Sequence, residues 1–189
     1  MHEKVSPEDI RKLIETQGLE CKNSLSLRKE GLQSLNAMVN ADSATGHVLF
    51  GVAPDGTVSG IEPGKLDKAQ CSLVQQIGDQ FRPRIVAEMK ILDCEGRLIL
   101  VVRATRDPKV PLHEYDGRAF IREGSVSRQL ELPEKLQIIR RRSRDQHVGP
   151  WRCDKCGMWV GEFRSFEFDG KCMKKRYDCE CGGEFWPDT

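Results

Sequence analysis

Two groups of residues in this chain have the types and spacing to do chemistry. One is Glu15, Glu20 and Lys22, in the stretch Ile14-Glu15-Thr16-Gln17-Gly18-Leu19-Glu20-Cys21-Lys22. It puts two carboxylates and a lysine close together. The other is a pair of cysteine knuckles, Cys153-x2-Cys156 and Cys179-x-Cys181. Carboxylate oxygens suit hard divalent cations, whereas thiolates at such spacings suit zinc.

The elements around the first group decide whether its acids can meet. Ile10, Leu13 and Ile14 recur at helical spacing, and Ser6-Pro7-Glu8-Asp9 reads as an N-cap, a first-turn proline and an acidic first turn. Gly18 is a helix stop, because glycine accepts the left-handed conformation that ends helices. Beyond it the period becomes two, so Leu19 and Cys21 face one way and Glu20 and Lys22 the other. On an unbroken helix Glu15 and Glu20 diverge; with a break at Gly18 they can converge. From these residues alone, a solvated acidic helix end is the preferred reading of the stretch.

The second group reads as a structural metal site. Tetrahedral Zn²⁺ takes four thiolates, here two from each knuckle: Cys153, Cys156, Cys179 and Cys181. The second knuckle has one intervening residue rather than two, so Cys172 stands as a fifth candidate. Aromatic residues from Trp151 to Trp186 concentrate in the same segment. So short a segment buries little core and folds with a metal and an aromatic cluster. A catalytic zinc would keep an open position and favour histidine, so the site reads as structural.

Composition bounds the rest. Thirty basic against 29 acidic residues leave almost no net charge, so any nucleic-acid-binding surface is local. No run approaches the ~18 apolar residues of a membrane span. Five of eight cysteines lie at or beyond position 153, in metal-like spacing, which points to a reducing, cytoplasmic compartment. Cys21, Cys71 and Cys94 sit singly in apolar patterns and read as buried thiols. His113 and His147 have no evident partner in the sequence and read as surface histidines.

The element pattern is α/β, of the α+β kind: a small mixed sheet with flanking helices, and a zinc ribbon after it. Leu32, Leu35, Met38 and Val39 mark one helix, and Leu66, Ala69, Leu73 and Ile77 another, which ends before Phe81-Arg82-Pro83. His47 to Val52 is a buried central strand, and Thr57 to Ile61 is expected to return as its hairpin partner across Ala53-Pro54-Asp55-Gly56. Residues 85–92 and 97–104 form a second hairpin. A short strand covers 119–122. Pro133 opens a last helix, which closes on Arg140, Arg141, Arg142 and Arg144, the densest positive run. These boundaries give a main domain over 1–145, a linker over 146–150 and the ribbon over 151–189.

Four fragments in order carry a family resemblance. They are Glu15-x4-Glu20-Cys21-Lys22; Leu35-Asn36-Ala37-Met38-Val39-Asn40; Gly46 to Val52 with Asp55-Gly56 and Gly60-Ile61; and Phe120-Ile121-Arg122-Glu123-Gly124-Ser125. Over about residues 8 to 135 the chain resembles the Schlafen core, an AlbA-type nucleic-acid-binding domain. The resemblance implies binding of RNA or DNA. It also implies, from those relatives that cut tRNA or rRNA, a metal-dependent endonuclease with three carboxylates. Two would be Glu15 and Glu20. The third falls on Asp55, one position later than in the pattern because Ala53 and Pro54 intervene. In paired-lobe relatives two such lobes form one valley, which implies a homodimer here.

If the three acids converge, they would hold Mg²⁺ or Mn²⁺ to activate water and offset phosphoryl charge. Lys22 would neutralise the phosphate or leaving oxygen. Arg122 and the run Arg140 to Arg144 would contact the backbone, which positions a nucleic acid without reading its sequence. A non-catalytic binding or regulatory module uses the same cations without cleavage, and its zinc ribbon adds a second contact or recruits a protein partner. ATP binding finds little support: Ser59-Gly60-Ile61-Glu62-Pro63-Gly64-Lys65-Leu66 lacks the first glycine and the Ser/Thr of a P-loop.

Overall fold

The computed structural model describes residues 2–14, 18–147, 151–153, 165–168, 173–176 and 185–187. Two compact units are present, Met1–Ile139 and Arg140–Thr189. In chain order the elements of the first are β1 (Glu3–Val5), α1 (Pro7–Ile14), β2 (Leu19–Lys22), α2 (Arg28–Asn40), β3 (Thr45–Phe50), α3 (Pro63–Gln80), β4 (Phe81–Arg82), β5 (Val86–Cys94), β6 (Arg97–Thr105), β7 (Glu114–Tyr115), β8 (Phe120–Glu123), β9 (Val126–Gln129) and the start of α4 (Leu132–His147). The second continues α4 and adds β10 (Trp151–Cys153), β11 (Ser165–Phe168), β12 (Met173–Arg176) and β13 (Phe185–Pro187).

Five strands form one mixed sheet in the order β1-β5-β6-β3-β2. β2 runs parallel to β3 and β1 parallel to β5, while β3, β5 and β6 pair antiparallel. Alternation sends the two sides of each strand into two cores. Val48, Phe50, Leu100 and Val102 meet Leu32, Leu35 and Met38 of α2 and Leu73 and Ile77 of α3. On the other face Leu19, Cys21, Leu49 and Ile99 meet Ile10 of α1.

Each helix has a local cause. Ser6 and Asp9 form a reciprocal capping pair at α1: Asp9 N donates to Ser6 Oγ at 3.2 Å, and Ser6 N donates to Asp9 Oδ2 at 3.0 Å. Gly18, immediately before β2, has φ +107°, a conformation that side chains rarely adopt. The close seating of α2 on β3 depends on two missing Cβ atoms. One built on Gly31 would lie 2.8 Å from Phe50 Cζ, and one on Gly46 2.7 Å from Met38 Cβ.

Several expectations need correcting. Thr57 to Ile61 is not a strand. Single bridges join Val52 to Val58 and Ile61 to Leu98, because Gly60, at φ +75°, turns the chain toward β6. Cys71 is exposed, whereas Cys21 and Cys94 are buried. It sits on α3 across from the stripe of Leu66, Leu73 and Ile77, and faces water. His113 is not a surface residue: it is 1% exposed.

The setting of His113 carries a pH prediction. Its Nδ1 lies 2.8 Å from the Pro83 carbonyl, which can only accept, so Nδ1 holds the proton. Nε2 is buried with no hydrogen-bond partner among the described residues. Burial pushes the imidazole pKa below its ordinary value and outweighs the upward pull of the Pro83 bond. The unfolded chain therefore binds a proton at a pH where the folded chain does not. Stability is complete above about pH 6.5 and falls as the pH drops from there through the folded pKa. His47 shifts the same way, chiefly by burial. Urea unfolding between pH 7 and pH 5 should show a shallower loss in His113→Gln than in the parent; equal slopes would refute this assignment.

Candidate nucleic-acid interface

Because Leu19 and Cys21 are buried on the α1 side, Glu20 and Lys22 leave β2 on the α2 side. There they meet a residue about a hundred positions away. Arg122 Nη1 donates to Glu20 Oε2 at 2.8 Å, and Lys22 Nζ donates to Glu20 Oε1 at 2.7 Å. Arg122 also donates to Ser127 Oγ at 3.2 Å, across the β8–β9 hairpin. The three charged side chains are 15 to 19% exposed. One carboxylate thus holds two cations at the sheet edge, and the cluster carries a net positive charge. Burial pushes the Glu20 carboxyl up, but the bonds from Lys22 and Arg122 outweigh it and hold its pKa below the usual value.

Arg122 reaches this place because β8 is fastened to α2 by two buried asparagines. Asn36 Oδ1 accepts from Phe120 N at 2.9 Å, and Asn40 Nδ2 donates to Phe120 O at 3.0 Å. Asn40 Oδ1 accepts from His113 N at 3.0 Å, while both amides donate to His113 O, at 3.0 and 2.8 Å. Phe120 is buried in the core, and Arg122, two residues on, leaves the same side of the strand.

Glu15 and the side chain of Arg144 lie outside what is described. Asp55 is exposed, and its Oδ1 accepts from Thr57 N at 2.9 Å. That bond to its own turn is the main cause of its lowered pKa; Arg11 contributes least. The loop that carries it starts beside β2, since Gly51 N donates to Lys22 O at 2.8 Å and Ser59 Oγ to Asn23 O at 3.0 Å. Among the described residues no three His, Cys, Asp or Glu side chains form a group that could hold a metal. The carboxylate that the resemblance assigns to a divalent cation has both oxygens engaged by Lys22 and Arg122. The described residues therefore do not make a fitting Mg²⁺ or Mn²⁺ site.

In the second unit Arg140 and Arg141 are exposed and Arg142 is buried. β10 pairs antiparallel with β13, setting the Cys153 backbone opposite Phe185, and β11 pairs with β12. Cys156, Cys172, Cys179, Cys181 and the Cys153 side chain lie outside what is described.

The family description "Schlafen, AlbA_2" matches residues 15–131, more than half of the chain. The chain belongs to the Schlafen AlbA_2 family. Among solved structures it is similar to the N-terminal domain of a RecG-related protein from Nitrosomonas europaea, determined by NMR in solution. The identity is 22% and the TM-score 0.45, over 68% of this chain and 95% of that one. No curated protein matches. Within this Schlafen AlbA_2 domain, sequence reasoning picked out Glu20, Lys22 and Arg122 but missed their mutual bonds, Ser127, and the asparagine clamp. The available signal for the clamp was two asparagines one helical turn apart on an otherwise apolar helix.

Proposed function

We propose that this Schlafen AlbA_2 domain binds RNA or DNA through its phosphate backbone, with Lys22 and Arg122 as the central contacts. The observation that carries this reading is one carboxylate holding two cations in place. Arginine presents a planar fork of donors to a phosphate and lysine a compact charge, and both are already oriented by Glu20. Arg140 and Arg141, exposed in the second unit, are proposed as phosphate contacts of that unit by itself. The test is retention of tRNA and of single-stranded DNA in rising salt. Phosphate binding predicts affinity that falls linearly on logarithmic axes; affinity indifferent to salt refutes it.

Metal-dependent cleavage is the second reading. It is favoured by family membership and by a carboxylate–lysine pair on β2. It requires Glu15 to join Glu20, and it requires Asp55 to leave its turn. Incubation with total tRNA in Mn²⁺ or EDTA decides it: no metal-dependent cut, or a cut unchanged in Glu20→Ala, removes the enzyme.

The C-terminal unit, in this reading, is a zinc ribbon held by Cys153, Cys156, Cys179 and Cys181. Support comes from the β10–β13 pairing, which brings the start of the first knuckle beside the chain that follows the second. Purified protein should carry about one zinc ion per chain. Cys153→Ser should lose it and unfold the ribbon, leaving the first unit's cooperative unfolding in place. Folded protein with no zinc would refute the site. The protein acts in the cytoplasm and as a homodimer in this proposal.

A further inference from the structure

The sheet has one edge only partly covered. β1 pairs with β5 at Leu92, Asp93 and Cys94 and nowhere else. Among the described residues nothing pairs with the outer edge of Val86 to Ile91. Such an edge is a ready template for another strand.

The sequence of that edge, Val86-Ala87-Glu88-Met89-Lys90-Ile91, restricts which strand fits. Ala87, Met89 and Ile91 lie on the face that packs against the α2–α3 core. Glu88 and Lys90 lie on the other face. Two copies of this strand, antiparallel about a two-fold axis normal to the sheet, must oppose residues of the same face. Centring the axis on Glu88 sets that carboxylate against its own copy. Centring it on Lys90 sets two ammonium groups together and sets Glu88 against Leu92, whose edge β1 already occupies. Centring it on Met89 opposes Glu88 to Lys90 twice and Ala87 to Ile91 twice; the pairing ends there, because Val86 would next meet Leu92, whose edge β1 occupies.

We propose that a second copy of this chain docks antiparallel on β5 about Met89, joining two sheets into one. Apolar surface flanks this seam. Val86 is 82% and Val74, on α3, 54% exposed. A groove of about 390 Å³ runs between α3 and the start of β5, lined by Ile77, Ile85 and Met89 among others. The axis keeps both α3 helices on one side of the joined sheet, beside the seam. Existing partners do not block the pairing: Glu88–Arg103, at 3.4 Å, and Lys90–Glu3, at 3.0 Å, are exposed pairs of the kind that contribute little. The Glu20–Lys22–Arg122 cluster lies on β2, at the opposite edge. The dimer is therefore independent of the phosphate-binding reading, and the two can fail separately.

Sedimentation velocity of the full chain across the micromolar range tests this. The parent should shift from monomer to dimer as concentration rises. Glu88→Lys places like charge opposite Lys90 of the second copy and should weaken the dimer at least ~10-fold. Adding Lys90→Glu to Glu88→Lys restores the opposed charges and should restore the dimer. Both side chains are exposed, so circular dichroism should match the parent in each variant. A parent that stays monomeric means these charges only guard the edge, and overturns the proposal. So does a dimer indifferent to Glu88→Lys, or one that the double exchange fails to rescue.

Discussion

Asn40→Ala should lower the unfolding free energy by on the order of 3 kcal/mol, because it strands two buried backbone groups at once. The Asn40 amide is the clamp's contact to the Phe120 carbonyl, and its oxygen takes the His113 N–H. His113 O keeps Asn36, but His113 N and Phe120 O lose their side-chain partner. Each buried polar group left without a partner costs about 1–3 kcal/mol. Asn40→Asp is the sharper variant. It is nearly isosteric and still accepts from His113 N, yet it sets a carboxylate oxygen against the carbonyls of His113 and Phe120. It should destabilise at least as much as Asn40→Ala, with the gap narrowing as acid protonates the new carboxyl. The consequence extends to function, since the clamp holds β8 and β8 carries Arg122. Under conditions where Asn40→Ala is still folded, it should bind nucleic acid more weakly than the parent. Urea unfolding at pH 7 reads the first effect and salt-dependent retention the second. A loss below about 1 kcal/mol would mean that the clamp is not what fastens β8.

The clamp also shows what was legible in the sequence and what was not. Elements with a long, single period could be read directly: α2 and α3 from their apolar stripes, and β5 with β6 from their length and the Asp93-Cys94-Glu95-Gly96 turn. β1 could not. Glu3-Lys4-Val5 carries no apolar alternation, and its pairing is a parallel contact nearly ninety residues away in sequence. Thr57 to Ile61 looked like a returning strand because local composition cannot see that Ile61 prefers Leu98. On β2 the alternation correctly separated Glu20 and Lys22 from Leu19 and Cys21. The order of the fragments singled out Arg122, but its convergence on Glu20 was not legible, because no local rule links residues so far apart. His113 failed for the same reason: what holds it, Pro83 and the two asparagines of α2, comes from two other parts of the chain.

Glu20 is where binding and cleavage predict opposite outcomes. If it serves as the counter-ion that holds Lys22 and Arg122, Glu20→Gln removes one negative charge from the cluster and leaves both cations for phosphate. Affinity for tRNA or single-stranded DNA should then rise a few-fold at low salt, with a steeper dependence on salt. Lys22→Ala combined with Arg122→Ala should act the other way. It removes two phosphate contacts, so the slope of log affinity against log salt should fall by roughly 2, and affinity by ~10- to 100-fold at low salt. Arg122→Ala alone is the less clean experiment, because it leaves a half-buried Glu20 with Lys22 as its sole cation and mixes lost binding with lost stability. A catalytic Glu20 predicts something else: Glu20→Gln would abolish metal-dependent cleavage whatever it did to affinity. Weaker binding in Glu20→Gln, with no cleavage by the parent, would leave phosphate binding in place and make the carboxylate the group that aims the cations rather than the one that balances them. The three variants, measured by retention at several salt concentrations and by tRNA cleavage with Mn²⁺, thus assign one carboxylate to one of three physical roles: charge balance, alignment or catalysis.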